Sequence, residues 1–265
     1  MSSMTLSLWQ GAGVPRDLAA TLDEVARIAT GAAEAGTDLL VFPEGYLTGY
    51  HLPGLTPGDL PGVEAALAEV GSIAARAKLT MVMGTHLDDG QTLRNAAVVF
   101  DSSGAELGRY SKRALFGPWE RETFAAGDRA FLFETSGLRV GVAICYDVEF
   151  PELIRAYALD GANLVVVPTA LMTPYERIAR LVVPVRAMEN QIFLGYANRS
   201  GTEPGLTFTG LSCICGPQGE FLAQAETTPQ LLTARLDTAA LSAERSSNSY
   251  LEDLMLAEAA FSGNG

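Results

Sequence analysis

The chain has 265 residues, 48% of them hydrophobic and 18% charged, enough for a large buried core and ordinary for a globular α/β domain. Its formal charge of −13 argues against nucleic acid and anionic membrane surfaces as partners. Three cysteines and two histidines do not make a disulfide framework or a convincing zinc site, and no apolar run approaches the ~20 residues of a membrane span. The N-terminal stretch lacks the basic start and cleavage site of a secretory signal, so a cytoplasmic location is expected.

Met4 to Trp9 alternates as a first strand would. Pro15 to Ala35 places Leu18, Leu22, Val25, Ile28, Ala29 and Ala32 at helical spacing, and Gly36 ends that helix. Asp38 to Phe42 is a short, wholly apolar strand, as expected where both faces are covered, and it runs into Pro43 and Glu44. Thr48 to Gly62, rich in Gly and Pro, reads as a loop. A second amphipathic helix covers Val63 to Lys78. Strands follow over Thr80 to His86 and Thr92 to Asp101, then an extended piece from Gly108 to Arg113 and a loop from Ala114 to Asp128.

The second half repeats this logic. Strands are expected over Phe131 to Glu134, Arg139 to Ile144 and Asn163 to Val167, with helices over Pro151 to Leu159 and Pro174 to Asn190. Four more strands are expected over Gln191 to Ala197, Leu211 to Cys215, Glu220 to Gln224 and Gln230 to Leu236. The tail offers a polar hinge, Ser246 to Ser249, and a short helical piece with Leu251, Leu254 and Met255. With no low-complexity linker, residues 1–265 read as a single α/β domain: two β-rich halves, each with a pair of helices, as in two sheets between helix layers.

Three reactive groups stand at or just beyond strand ends, where sites gather in sheets with parallel strands. Glu44 follows Leu39 to Pro43, Lys112 follows Gly108 to Ser111, and Cys145 follows Val140 to Ile144. A cysteine between a buried strand and a helix start is either an exposable nucleophile or the apolar end of a core strand. A nucleophile needs a base. His51 and His86 have no local signature for that role, whereas a carboxylate beside an apolar strand end can have a raised pKa. Lys112, one of two lysines beside sixteen arginines, could supply positive charge to an oxyanion. Cys213 and Cys215 alternate on one strand and read as core.

Together, Pro43-Glu44, then Tyr110, Lys112, Leu115 and Phe116, then Cys145, Tyr146, Asp147, Phe150, Pro151 and Glu152 resemble the nitrilase superfamily of carbon–nitrogen hydrolases. The resemblance spans nearly the whole chain. It implies an αββα four-layer sandwich of two mixed sheets flanked by helices, commonly paired into dimers, and a catalytic triad of Glu44, Lys112 and Cys145. It also implies a substrate-positioning role for Glu120 and an oxyanion-binding N–H from Tyr146. Tyrosine after the cysteine resembles the amidase side of the superfamily. Leu47 to Tyr50, Phe150 to Glu152 and Met172 to Tyr175 resemble short-chain aliphatic amidases, some of which cleave amides bearing a distant amine.

The implied reaction is hydrolysis of a small aliphatic amide through a cysteine thioester, with no metal or organic cofactor. Nitrile or N-carbamoyl-amine hydrolysis with the same triad is the alternative, or a non-catalytic binding member of the family. Loops Leu47 to Gly62, Phe116 to Asp128 and Leu171 to Glu176 are expected to wall a pocket containing Tyr50, Trp119, Thr169 and Tyr175, with Glu176 facing a substrate amine. A homodimer or higher homo-oligomer is expected, with the tail from about residue 246 at its interface. The tail departs from the family in lacking paired arginines after Tyr250 and Leu251.

Overall fold

A computed structural model describes residues 3–254. The first half runs β1 (Ser3–Gln10), α1 (Leu18–Glu34), β2 (Leu39–Val41), α2 (Val63–Ala77), β3 (Thr80–Asp88), β4 (Leu93–Phe100), β5 (Glu106–Ser111) and α3 (Gly117–Thr123). The second runs β6 (Leu132–Thr135), β7 (Leu138–Val142), a 3-10 turn (Cys145–Glu149), α4 (Pro151–Leu159), β8 (Leu164–Thr169), a π turn (Ile178–Val182), α5 (Val183–Asn190) and β9 (Phe193–Asn198). It continues with β10 (Ser200–Glu203), β11 (Leu206–Thr209), β12 (Cys213–Cys215), β13 (Phe221–Gln224), β14 (Gln230–Asp237) and α6 (Thr238–Ser247).

Two six-stranded sheets result, ordered β14-β1-β2-β3-β4-β5 and β13-β12-β9-β8-β7-β6. Each has three parallel strands at its centre, β1-β2-β3 and β7-β8-β9, with antiparallel strands on both sides. Parallel strands need crossovers, which α1, α2, α4 and α5 supply.

The pleat divides each strand between two cores. Leu39 and Val41 point inward with Leu6, Leu8 and Val82 to meet Val140, Val142, Leu164 and Val166 of the other sheet. Leu40 and Phe42 point outward to the stripe Val25, Ile28, Leu67 and Val70 of α1 and α2. Val165, Val167 and Leu194 do the same for Ile154 and Tyr157 of α4 and Ala187 of α5. Each fully buried aliphatic side chain contributes about 1.5–3 kcal/mol. Where β9 crosses β1 the sheets approach closely: a Cβ on Gly195 would stand 2.9 Å from Leu6 Cδ2. The architecture is the expected αββα sandwich.

Four local expectations differ. The loop from Ala114 to Asp128 contains the seven-residue α3, which opens with Gly117 and Pro118. The helix over Pro174 to Asn190 begins instead as the π turn, because Pro184 has no N–H for the carbonyl of Arg180. Residues 200–209 pair as a separate hairpin. The hinge at Ser246 is the last turn of α6, whose first turn is capped by Asp237 accepting the Ala239 N–H at 2.9 Å. Residues 250–254 are helical and Leu251 packs on the second sheet's outer core. Met255 and the rest of the expected interface tail lie outside the described residues. Cys213 and Cys215 are buried in the core under α5. Among the described residues no helix is long and apolar enough to cross a membrane, and no cluster of His, Cys, Asp and Glu could hold a metal ion.

Candidate active site

Beyond β2 the chain turns sharply through Pro43 and Glu44, and β3 makes room for it. A Cβ on Gly84 would stand 2.0 Å from the Pro43 carbonyl oxygen. Leu47 N–H donates to Gly84 O at 3.0 Å. On the other side, buried Arg199 donates from Nη1 to the carbonyls of Glu44 (3.2 Å) and Gly45 (3.1 Å). Its Nη2 pairs with Glu203, whose carboxylate accepts the N–H groups of Tyr50 (3.3 Å) and His51 (2.7 Å). One ion pair therefore fixes both the Glu44 turn and the segment that carries Tyr50.

Lys112 follows β5. Its N–H donates to Asn95 O and its carbonyl accepts the Gly127 N–H, both at 2.8 Å. Its ammonium donates to Glu44 Oε1 and to Glu120 Oε1, each at 2.7 Å, with all three side chains fully buried. Asn95 Nδ2 also donates to Glu44 Oε1, at 2.7 Å. Tyr50 OH (2.9 Å) donates to Glu120 Oε1, and the Phe116 N–H (2.6 Å) donates to Glu120 Oε2. Glu120 is brought here by α3, whose first turn contains it.

Burial pushes the Glu44 carboxyl above its usual range; the Lys112 ammonium pulls it back and the Glu120 charge pushes it up again. Burial favours a neutral Lys112, but Glu44 and Glu120 outweigh it and raise its pKa, so the ammonium persists at neutral pH. Glu44 Oε2 is buried without a hydrogen-bond partner among the described residues.

Cys145 opens the 3-10 turn with φ +44°, the left-handed region that a non-glycine residue rarely occupies. Asp147 holds this turn. Its buried carboxylate accepts from Ile144 N–H (2.9 Å), Ala114 N–H (2.7 Å) and Tyr110 OH (2.8 Å). One side chain so ties the cysteine to the strand end that bears Lys112. Burial and the Glu44 charge raise the Cys145 thiol well above its usual pKa, against Lys112 and the Ala170 N–H, so the resting sulfur is a neutral thiol.

A narrow cavity of about 20 Å³ opens at Cys145 between Tyr50, Phe116, Tyr146, Glu149, Met172 and Tyr175. A second, of about 140 Å³, shares Tyr50, Phe116 and Met172 and extends past His51, Trp119 and Leu206. The three expected loops all contribute walls. Two expected pocket residues do not line either cavity. Thr169 turns its hydroxyl back on Val167 O at 2.9 Å, leaving Ala170 to face Cys145. Glu176, half-buried ahead of the π turn, faces neither space. Phe124 is core with Leu52, Leu55 and Leu93. His86 is fully buried against Phe124 and neutral, its pKa lowered by burial to about 3, and it lines neither cavity. The sequence places Asp147 in the motif around Cys145 without assigning it a role, and it assigns none to Asn95 or Arg199. A polar Asn95 inside the apolar strand Leu93–Phe100 was the available signal.

The carbon–nitrogen hydrolase family model matches residues 5–245. This chain belongs to the carbon–nitrogen hydrolase family. It falls on the amidase-like side. An (R)-stereoselective amidase from a Pseudomonas species is 35% identical, over 96% of this chain and 92% of that protein. A nitrilase from Pyrococcus abyssi is 36% identical over 78% and 79% of the two chains. A double mutant of an amidase from Nesterenkonia sp. AN1, in complex with acrylamide, superposes with TM-score 0.87 at 33% identity, covering 96% of this chain and 94% of that one. Another mutant of that amidase, at TM-score 0.86, 34% identity and coverage of 95% and 94%, carries the acetamide moiety of fluoroacetamide added covalently at its active-site cysteine.

Proposed function

We propose that the protein hydrolyses a small aliphatic carboxamide to its carboxylic acid and ammonia through a thioester on Cys145. The observation that carries this reading is the Lys112 ammonium held between two buried carboxylates, Glu44 and Glu120, next to a cysteine fixed in a left-handed turn. Glu44 Oε2 takes the thiol proton as sulfur attacks the amide carbon; its raised pKa suits it to that task. An ammonium has three donors. Two are engaged with Glu44 and Glu120, and the third, with the Tyr146 N–H, serves the oxyanion.

Collapse of the tetrahedral intermediate breaks the C–N bond, and Glu44 returns the proton to the leaving ammonia. Water then gives a proton to Glu44 and its oxygen to the thioester carbon; Cys145 leaves, reprotonated, and the acid departs. Glu120 fixes the ammonium and the edge of the pocket through Tyr50. The narrow cavity at Cys145 favours short acyl groups, and the Nesterenkonia complex with acrylamide supports that size class. The Pyrococcus relative supports a nitrile as the second substrate class.

The test is a panel of short amides, nitriles and N-carbamoyl amines, with and without hydroxylamine. Amides should give ammonia, and hydroxylamine should divert the acyl group to a hydroxamate. Turnover confined to nitriles, or carbon dioxide released with ammonia, would move the substrate class.

A further inference from the structure

His86 is a fully buried histidine that takes no part in the proposed chemistry. Among the described residues neither of its ring nitrogens has a hydrogen-bond partner. Buried polar groups are rarely left so. The ring packs on Phe124, 4.7 Å between centroids, and stands edge-on to Trp119 at 6.5 Å. Burial, Arg199 and Lys112 keep it neutral, so it offers one N–H donor and one acceptor.

Opposite His86 in the β3–β4 ladder is Asn95. Side chains directly opposite across an antiparallel pair share a face, with Cβ atoms about 4.5–5.5 Å apart. Asn95 steadies the base: its Nδ2 donates to Glu44 Oε1 at 2.7 Å and reaches Glu120 Oε1 at 3.4 Å. Two carboxylates require the amide nitrogen on their side, which leaves Oδ1 on the other. Oδ1 is buried and unpartnered among the described residues, and so is Trp119 Nε1. An acceptor on Asn95, a donor on Trp119 and one of each on the neighbouring His86 ring supply the two to four polar partners that a buried water needs. We propose that His86 is a positioning residue for Glu44: through one buried water its N–H holds Asn95 Oδ1, and so keeps the amide nitrogen on the base. This rests on the amidase reading, in which Glu44 Oε1 is tethered while Oε2 meets the thiol. The Asn95 hydrogen bond favours the Glu44 carboxylate, so slackening it makes the base harder to ionise. Lys112, Glu120, Tyr50, Cys145 and Arg199 also face Glu44. A ring that merely filled space beside Phe124 and Trp119 would leave the base unaffected.

The test is the pH dependence of Cys145 alkylation by chloroacetamide, followed by mass, which does not depend on the substrate. Sulfur displaces chloride from carbon and Glu44 takes the thiol proton, so the acid limb of the rate reports ionisation of Glu44. His86→Phe keeps a ring and loses the donor. Its limb should move to higher pH by about half to one unit, the size of one hydrogen bond. His86→Asn and His86→Gln each place an N–H near where one of the ring nitrogens stood, and at least one should restore the wild-type limb. Asn95→Ala should itself move the limb upward, and adding His86→Phe to it should move it no further. His86→Leu takes the place of His86→Phe if that variant does not fold. An unmoved limb in the variant without a donor, an equal shift in all the His86 variants, or a full additional shift in the Asn95→Ala background overturns the role of His86. The amidase reading stands or falls separately, on ammonia release from short amides by the wild-type protein.

Discussion

Lys112 satisfies two carboxylates at once, and the site depends on it doing so. Without the ammonium, Glu44 and Glu120 face each other in a space closed to water. Breaking such a buried pair from one side costs about 3–5 kcal/mol. Lys112→Ala should therefore lower the urea midpoint strongly and reduce turnover more than about a hundredfold; a variant of wild-type stability would show that the carboxylates do not depend on the ammonium. His86 gives a second residue-level prediction. Its folded pKa of about 3 lies below the unfolded value of about 6.5. The unfolded chain binds the proton first as pH falls, so this contribution is complete above about pH 6.5 and is lost toward pH 3, at up to about 1.4 kcal/mol per pH unit. Denaturant titrations across pH should show a shallower acid slope for His86→Gln than for wild type. Equal slopes would mean that the buried imidazole is not the source.

At the scale of elements, placement of the Glu44 turn rests on a missing side chain. Gly84→Ala puts a methyl group 2.0 Å from Pro43 O, so the turn that carries Glu44 must shift. A displacement of about 1 Å at a reacting group can cost a hundredfold. The expected result is a fall in kcat of that order with the far-ultraviolet circular dichroism retained; unchanged kcat would show that the turn has slack.

The central strands and the four crossover helices could be read from sequence because each is apolar on one side or throughout. The elements that escaped were α3, α6 and the 200–209 hairpin. Each is short, polar or opened by Gly and Pro, and each is held by tertiary contacts more than by its own pattern. The site divides the same way. Glu44, Lys112 and Cys145 stand at strand ends and carry reactive groups. Arg199 and Asp147 act through backbone groups distant in sequence, Glu44 O and Ala114 N–H among them, and a linear pattern does not display such contacts. Thr169 lay one residue from the position that faces the cysteine, because side chains alternate along a strand.

At the scale of the molecule, the site belongs to neither sheet alone. Glu44, Lys112 and Asn95 come from the first sheet and its loops, Cys145 and Asp147 from the second, so chemistry requires the closed sandwich. The outer surface carries a further expectation. Leu181, Val185 and Met188 are spaced four and three residues apart, and Leu181 is 63% exposed, an apolar stripe that a second copy of the chain could cover. Sedimentation should report at least twice the 28.0 kDa chain mass, and Leu181→Glu should lower it; a wild-type monomer would rule the homo-oligomer out. The central claim is that Cys145 carries the acyl group. It is tested most directly by ammonia release from a short aliphatic amide, wild type beside Cys145→Ala. Wild-type turnover and a loss of several orders of magnitude in the variant are predicted. Retention of more than about a hundredth of the wild-type rate would contradict a thioester at this residue.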